Sequence, residues 1–160
     1  MKKDTYIAVV GPSAATPAEH ALGEEVGRLI AEAGAVLVCG GLGGLMEAAA
    51  SGCAKAGGRS VGVLPTETRA GANPYMTTAV ATGMGEARNA IVVRTADAVI
   101  AVAGEFGTLS EIALALKMGK PVVGLQTWEL GKEGLPVEAI TRADSPSDAV
   151  AAALRLAAER

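Results

Sequence analysis

The stretch "AGEFGTLSE", Ala103 to Glu111, holds the residues best suited to chemistry, and it follows an apolar run, "DAVIAV". Its glycines allow backbone N–H groups to approach an anion closely, and the N-terminus of a following helix adds a favourable partial charge. Thr108 and Glu111 have the Ser/Thr-x-x-Glu spacing that predicts a capping box, which is the favoured interpretation. A phosphate-binding hydroxyl with a catalytic carboxylate has the same spacing, so both interpretations stay open.

A second glycine-rich corner, "GGLGGLMEAA", follows the apolar run "AVLVC", and a third, "GPSAATP", follows "YIAVV". Neither GxGxxG in register nor a Walker A loop is present, which argues against a dinucleotide site and against NTP hydrolysis. Two corners facing each other predict a site for a phosphate and the group attached to it. The residues expected to bind are Gly40, Gly41, Gly43, Gly44, Gly104, Gly107 and Thr108.

Arg88, in "GMGEARNAIVV", is expected at the start of a helix. A cation in the first turn is electrostatically unfavourable, which indicates an anionic partner; a solvated surface arginine is the alternative. Cys39 and Cys53 have no CxxC spacing and no nearby histidine, so neither a metal site nor a disulfide framework is indicated. No cofactor is expected.

The elements that must position these residues alternate along the chain. Continuous apolar runs typical of strands buried on both faces occur at 6–11, 35–41, 60–65, 97–104 and 121–125, with helical periodicity between them. This pattern predicts an α/β fold: a doubly wound, Rossmann-like, mostly parallel sheet with helices on both faces. We expect one domain over residues 1–160.

Composition narrows the partners. The formal net charge is −3 and no basic run is present, so neither nucleic acid nor a membrane surface is expected to bind. The chain has no apolar segment typical of a membrane span or leader, which favours the cytoplasm. Half of the residues are hydrophobic, which favours a homo-oligomer, most simply a dimer.

The order of these motifs over residues 6–125 resembles the LOG-like (Lonely Guy) superfamily, whose hydrolases carry the signature PGGxGTxxE and a preceding arginine. Gly104, Gly107, Thr108 and Glu111 match that signature, and Arg88 matches the arginine. The resemblance implies cleavage of the N-glycosidic bond of a nucleoside 5′-monophosphate. Arg88 and Glu111 would then be catalytic, and the glycines and Thr108 would bind the phosphate.

Three positions depart from the hydrolases: Ala103 replaces the signature proline, Glu105 replaces its second glycine, and Asn89 follows Arg88 where a lysine is common. A carboxylate at 105 would repel phosphate by about 1 kcal/mol in water and about 4 kcal/mol at an effective dielectric of 20. These departures resemble the subgroup of molybdenum-cofactor carriers, which bind a phosphorylated pterin without hydrolysis. The sequence therefore predicts a protein that binds a phosphorylated nucleotide-like molecule, with phosphoribohydrolase activity or pterin carriage as the two alternatives.

Overall fold

The computed structural model describes residues 3–160. Helices and strands alternate along most of the chain, as the periodicity predicts. The strands are β1 (Tyr6–Val10), β2 (Val36–Cys39), β3 (Arg59–Leu64), β4 (Thr78–Ala81), β5 (Ala98–Val102), β6 (Val122–Leu125), β7 (Leu130–Lys132), β8 (Leu135–Val137) and β9 (Thr141–Ala143). The helices are α1 (Pro17–Glu32), α2 (Leu45–Lys55), α3 (Asn89–Thr95), α4 (Phe106–Lys117) and α5 (Pro146–Ala158), with a 3₁₀ turn (Gly85–Arg88) before α3.

Seven strands form one sheet in the order β4-β3-β2-β1-β5-β6-β9. Every neighbouring pair in it is parallel. β1 pairs with β5 in the register Ile7↔Ala98, so the runs "YIAVVG" and "DAVIAV" are neighbouring parallel strands. The chain builds the sheet outwards from β1 in one direction and then from β5 in the other, which makes β1/β5 the topological switch point.

Side chains of each central strand point alternately into two cores. Ile7, Leu37 and Ile100 pack with α1, α2 and α5 on one face. Ala8, Val38 and Val99 pack with α3 and α4 on the other. The predicted fold, a doubly wound α/β sheet with helices on both faces, is therefore confirmed.

Two helices begin as their sequences predict. Thr16 accepts a hydrogen bond from the Glu19 amide while the Glu19 side chain accepts one from the Thr16 amide, which is a complete capping box at the start of α1. The Ser145 side chain accepts a hydrogen bond from the Asp148 amide at the start of α5.

Within residues 3–160, none of the helices combines the length and the apolar character needed to span a bilayer.

Candidate functional site

A cavity of about 520 Å³, which we call the site cavity, opens at the carboxyl edge of the sheet, at the β1/β5 switch point. Doubly wound sheets bind their ligands at this position, and the volume lies within the range typical of small-molecule sites. Its walls come from the segments that follow β1, β2, β3, β4 and β5. The lining residues are Gly11, Pro12, Ser13, Ala14, Leu42, Met46, Pro65, Gly85, Glu86, Arg88, Asn89, Glu105, Phe106, Gly107, Thr108 and Glu111.

The capping of α4, at the corner that follows β5, differs from the prediction. α4 begins at Phe106 with Glu105 as its N-cap, and no side chain caps this end. Thr108 therefore lies within the first turn, and the predicted Thr108–Glu111 capping box is wrong. The physical reason is packing: a Cβ at residue 104 would lie 2.4 Å from the Thr108 Cβ, so the threonine packs closely over Gly104, which has a φ of 108°.

The first turn of α4 leaves backbone donors directed at the site cavity. The amides of Phe106, Gly107 and Thr108 have no carbonyl partner within the helix, whereas the Leu109 amide donates to the Glu105 carbonyl. A Cβ at Gly107 would meet no atom within 4 Å, so this residue presents bare backbone to open space. The helix dipole adds partial positive charge here, and the turn can bind an anion.

The glycines of the other predicted corner are not among the residues that line the site cavity. Gly41 and Gly44 have positive φ values of 77° and 65°, and a Cβ at Gly44 would lie 2.3 Å from the Ser13 carbonyl oxygen. Gly44 thus brings the corner close to the segment after β1, whereas a Cβ at Gly41 would lie 2.8 Å from the Leu64 side chain on β3. A Cβ at Gly43 would have its nearest contact at 3.9 Å, with the Glu47 carboxylate.

Leu42 and Met46 are the residues of that corner that line the site cavity. The segment 65–77 between β3 and β4 supports this corner, because the Asn73 side-chain amide donates to the Leu42 carbonyl over 3.0 Å and the Asn73 backbone amide donates to the Gly41 carbonyl over 2.9 Å. The loop therefore positions the corner from behind.

Arg88 is buried, with only 8% of its surface exposed. Its Nε donates to the Val63 carbonyl over 2.8 Å, and Nη2 donates to the Gly40 carbonyl over 3.4 Å. Nη1 donates to the side-chain oxygen of Asn89. The guanidinium is thus fixed by the carboxyl ends of β2 and β3, and desolvation lowers its pKa. The alternative of a solvated surface arginine is wrong.

Glu111 lines the same cavity one turn further along α4 and is partly buried. Burial raises the pKa of this carboxyl from 4.5 to about 7, and the charge of Arg88 opposes the rise. Among residues 3–160, neither Glu111 nor Arg88 has an oppositely charged partner within salt-bridge distance. A carboxyl group with this pKa can donate or accept a proton near neutral pH.

The charges around the site cavity are unbalanced. Arg88 is the single cation among the lining residues, which include three carboxylates, Glu86, Glu105 and Glu111. An anionic ligand must therefore depend on Arg88 and on the backbone amides of α4.

No group of three or more His, Cys, Asp or Glu side chains within the described residues is arranged to hold a metal ion.

The predicted site residues thus divide into two groups. Arg88, Glu111, Gly107 and Thr108 line one cavity, whereas Gly40, Gly41, Gly43, Gly44 and Gly104 do not line it. Sequence reasoning missed Phe106, which lines the cavity mouth. The one feature of the sequence that could have indicated this residue is the presence of an aromatic side chain inside a glycine-rich corner.

Comparison with known proteins adds independent findings. A model of the SLOG cluster4 family matches residues 4–151. An uncharacterized protein of Archaeoglobus fulgidus is 42% identical over 144 residues, which cover 90% of this chain and 91% of the relative.

Two solved structures are similar in fold and sequence. The molybdenum cofactor binding protein of Rippkaea orientalis is 34% identical, with a TM-score of 0.87 over 98% of this chain and 99% of that one. The molybdenum cofactor carrier protein of Chlamydomonas reinhardtii is 32% identical, with a TM-score of 0.86 over 98% of this chain and 99% of that one. The resemblance inferred from the motifs is confirmed.

Proposed function

This chain belongs to the SLOG cluster4 family, and from that premise we propose that it is a carrier that binds a phosphorylated pterin of the molybdenum-cofactor type in the site cavity. The solved relatives that bind or carry molybdenum cofactor support the choice of ligand. The proposal includes a cytoplasmic location, which the free thiols of Cys39 and Cys53 support, since disulfides are typical of oxidising compartments.

The observation that carries the proposal is the buried charge of Arg88. A desolvated cation without a carboxylate partner is costly, and an anion bound beside it would offset that cost. The uncapped first turn of α4 lines the same cavity and supplies Gly107 and Thr108 amides for phosphate oxygens. The carboxyl edge of the sheet therefore combines a fixed cation with oriented backbone donors.

Binding can be tested with molybdenum cofactor released anaerobically from a denatured molybdoenzyme. After gel filtration, the pterin that elutes with the protein is oxidised and measured by fluorescence. We expect stoichiometric retention by the wild type and strong loss with Arg88→Gln. Arg94→Gln is the matched control, because Arg94 is exposed in the last turn of α3. Absence of pterin in the wild-type peak would refute carriage.

A second candidate is hydrolysis of a nucleoside 5′-monophosphate, which the placement of Arg88 and Glu111 on one cavity favours. With a pKa of about 7, Glu111 can exchange a proton with an attacking water or stabilise positive charge on the sugar. Incubation with AMP and other nucleoside monophosphates, assayed for ribose 5-phosphate, tests this. Release of ribose 5-phosphate by the wild type that disappears in Glu111→Gln would support an enzyme. No release from any nucleotide would leave carriage as the proposed function.

A further inference from the structure

Phe106 occupies an unusual place for a phenylalanine. It is 78% exposed, although full burial of such a side chain is normally favourable. The packed face of α4 consists of Thr108, Ile112 and Ala115. Phe106 precedes Thr108 by two residues, or about 200° around the helix. It therefore points away from the core, and it lines the mouth of the site cavity.

Trp128 holds this exposed ring in position. The ring centroids of Phe106 and Trp128 are 5.8 Å apart with a tilt of 34°, which is a favourable aromatic geometry. The Trp128 Nε1 donates to the Glu105 carbonyl over 3.2 Å, and the neighbouring Thr127 hydroxyl donates to the Ala103 carbonyl over 2.5 Å. The segment after β6 is thus tied to the β5–α4 corner.

The lining of the site cavity includes both polar and apolar groups. The phosphate end consists of the α4 amides and Arg88, and apolar side chains of Leu42, Met46 and Pro65 line other parts of the wall. Phe106 belongs to the same helical turn as the free amides. A ligand that contacts both the free amides and the Phe106 ring must carry a flat ring and a phosphate in one small molecule, as nucleoside monophosphates and phosphorylated pterins do.

We propose that Phe106, held by Trp128, selects ligands with a planar heterocyclic ring by stacking on that ring while the first turn of α4 holds the phosphate. This inference rests on the proposed phosphate site and adds the part of the ligand that the site recognises. Stacking of a base on an aromatic side chain strengthens binding by about 5- to 150-fold. Sugar phosphates without a ring base lack this contribution.

The test compares AMP and a phosphorylated hydroxymethylpterin with ribose 5-phosphate by titration calorimetry. Trp128 is the only tryptophan, so quenching of its emission gives a second readout of ring binding. We expect at least one ring phosphate to bind about 5- to 150-fold more tightly than ribose 5-phosphate. Phe106→Leu should remove this preference and leave ribose 5-phosphate binding unchanged, whereas Phe106→Tyr should retain it.

Leu135→Ala, at another exposed apolar side chain, on β8, is the control and should change nothing. Equal affinities of the wild type for ring and sugar phosphates would overturn ring selection and leave the phosphate site intact. A Phe106→Leu variant that weakens the binding of all ligands equally would also overturn it. So would a Phe106→Leu variant whose mass by light scattering is half that of the wild type, because Phe106 would then be a contact between two copies of the chain. No binding of any phosphate would overturn the proposed function and this inference together.

Discussion

The guanidinium of Arg88 lies against the backbone of Gly40 so closely that residue 40 has no room for a side chain. Nη2 of Arg88 donates to the Gly40 carbonyl over 3.4 Å, and a Cβ at residue 40 would lie 2.7 Å from that nitrogen. It would also lie 2.6 Å from the Met46 sulfur. The glycine predicted as a phosphate ligand instead provides space for the cation of the site.

Gly40→Ala should therefore weaken both the fold and anion binding. The added methyl group would displace the buried guanidinium from its hydrogen bonds, so we expect the free energy of unfolding to fall by about 1 to 3 kcal/mol. The displaced guanidinium should weaken AMP binding at least tenfold, measured by calorimetry. Gly43→Ala is the comparison, because a Cβ there has its nearest contact at 3.9 Å. Equal effects of the two variants would contradict this role of Gly40.

Stability should depend on pH through Glu111. Burial raises the pKa of this carboxyl from 4.5 to about 7, so the folded protein binds the proton more tightly than the unfolded chain does. The resulting stabilisation is fully present below about pH 4.5 and is lost as the pH rises through about 7. Urea unfolding should show a wild-type loss of at most about 3 kcal/mol over this range. Glu111→Gln cannot ionise and should lack that component; parallel pH profiles would contradict this.

Glu105 should repel phosphate from the start of α4. It is the exposed N-cap residue and lines the site cavity beside the first-turn amides. Glu105→Gln keeps the size and removes the charge, so phosphate affinity should rise about fivefold at low ionic strength. The gain should shrink as salt is added, because an exposed charge is screened. Unchanged affinity at low salt would mean that the carboxylate turns away from the phosphate.

Ala103 should not tolerate proline, the residue of the hydrolase signature at this position. Its φ is 47°, and its amide donates to the Leu125 carbonyl over 3.0 Å. Proline has φ near about −65° and no N–H, so Ala103→Pro should lower the free energy of unfolding by about 3 kcal/mol or more. Ala103→Gly should stay within about 1 kcal/mol of the wild type. Thermal melts of both variants check this, and a stable proline variant would refute it.

The protein should form a dimer through the edge of the sheet at β4. This edge strand exposes Val80, and Met84 lies exposed just after it. An exposed apolar edge is a ready surface for another copy of the chain. Light scattering at micromolar concentration should give about twice the chain mass of 15.9 kDa. Val80→Lys should halve that mass, and Leu135→Lys should leave it unchanged; a monomeric wild type would contradict the prediction.

Local patterns predicted the parts of the fold that depend on local physics. Continuous apolar runs identified β1, β2, β3, β5 and β6, because strands buried on both faces must be apolar throughout. They did not identify β4 or β9, which are short and mostly exposed, with sequences that show no such pattern. An edge strand forms because it pairs with the neighbouring strand of the sheet, and a pattern within its own short sequence does not indicate that pairing.

The site was only partly predictable for the same reason. The Arg88 side chain donates to the carbonyls of Gly40, just after β2, and Val63, on β3, which are both distant from it in sequence. The start of α4 depends on how Thr108 packs over Gly104, which the Ser/Thr-x-x-Glu spacing cannot indicate. Sequence spacing identified the corner, and tertiary contacts decided the role of each residue in it.

The central position of β1 has a consequence for biosynthesis. β1 leaves the ribosome well before its partner β5, which follows about ninety residues later in the register Ile7↔Ala98. Non-local parallel pairing forms slowly because a long loop must first close. The site cavity needs both strands and α4, so a nascent chain cannot bind ligand before Glu111 has been synthesised and has left the exit tunnel. A ligand of this cavity would therefore act only after α4 has formed, and it could not guide the pairing of the earlier strands.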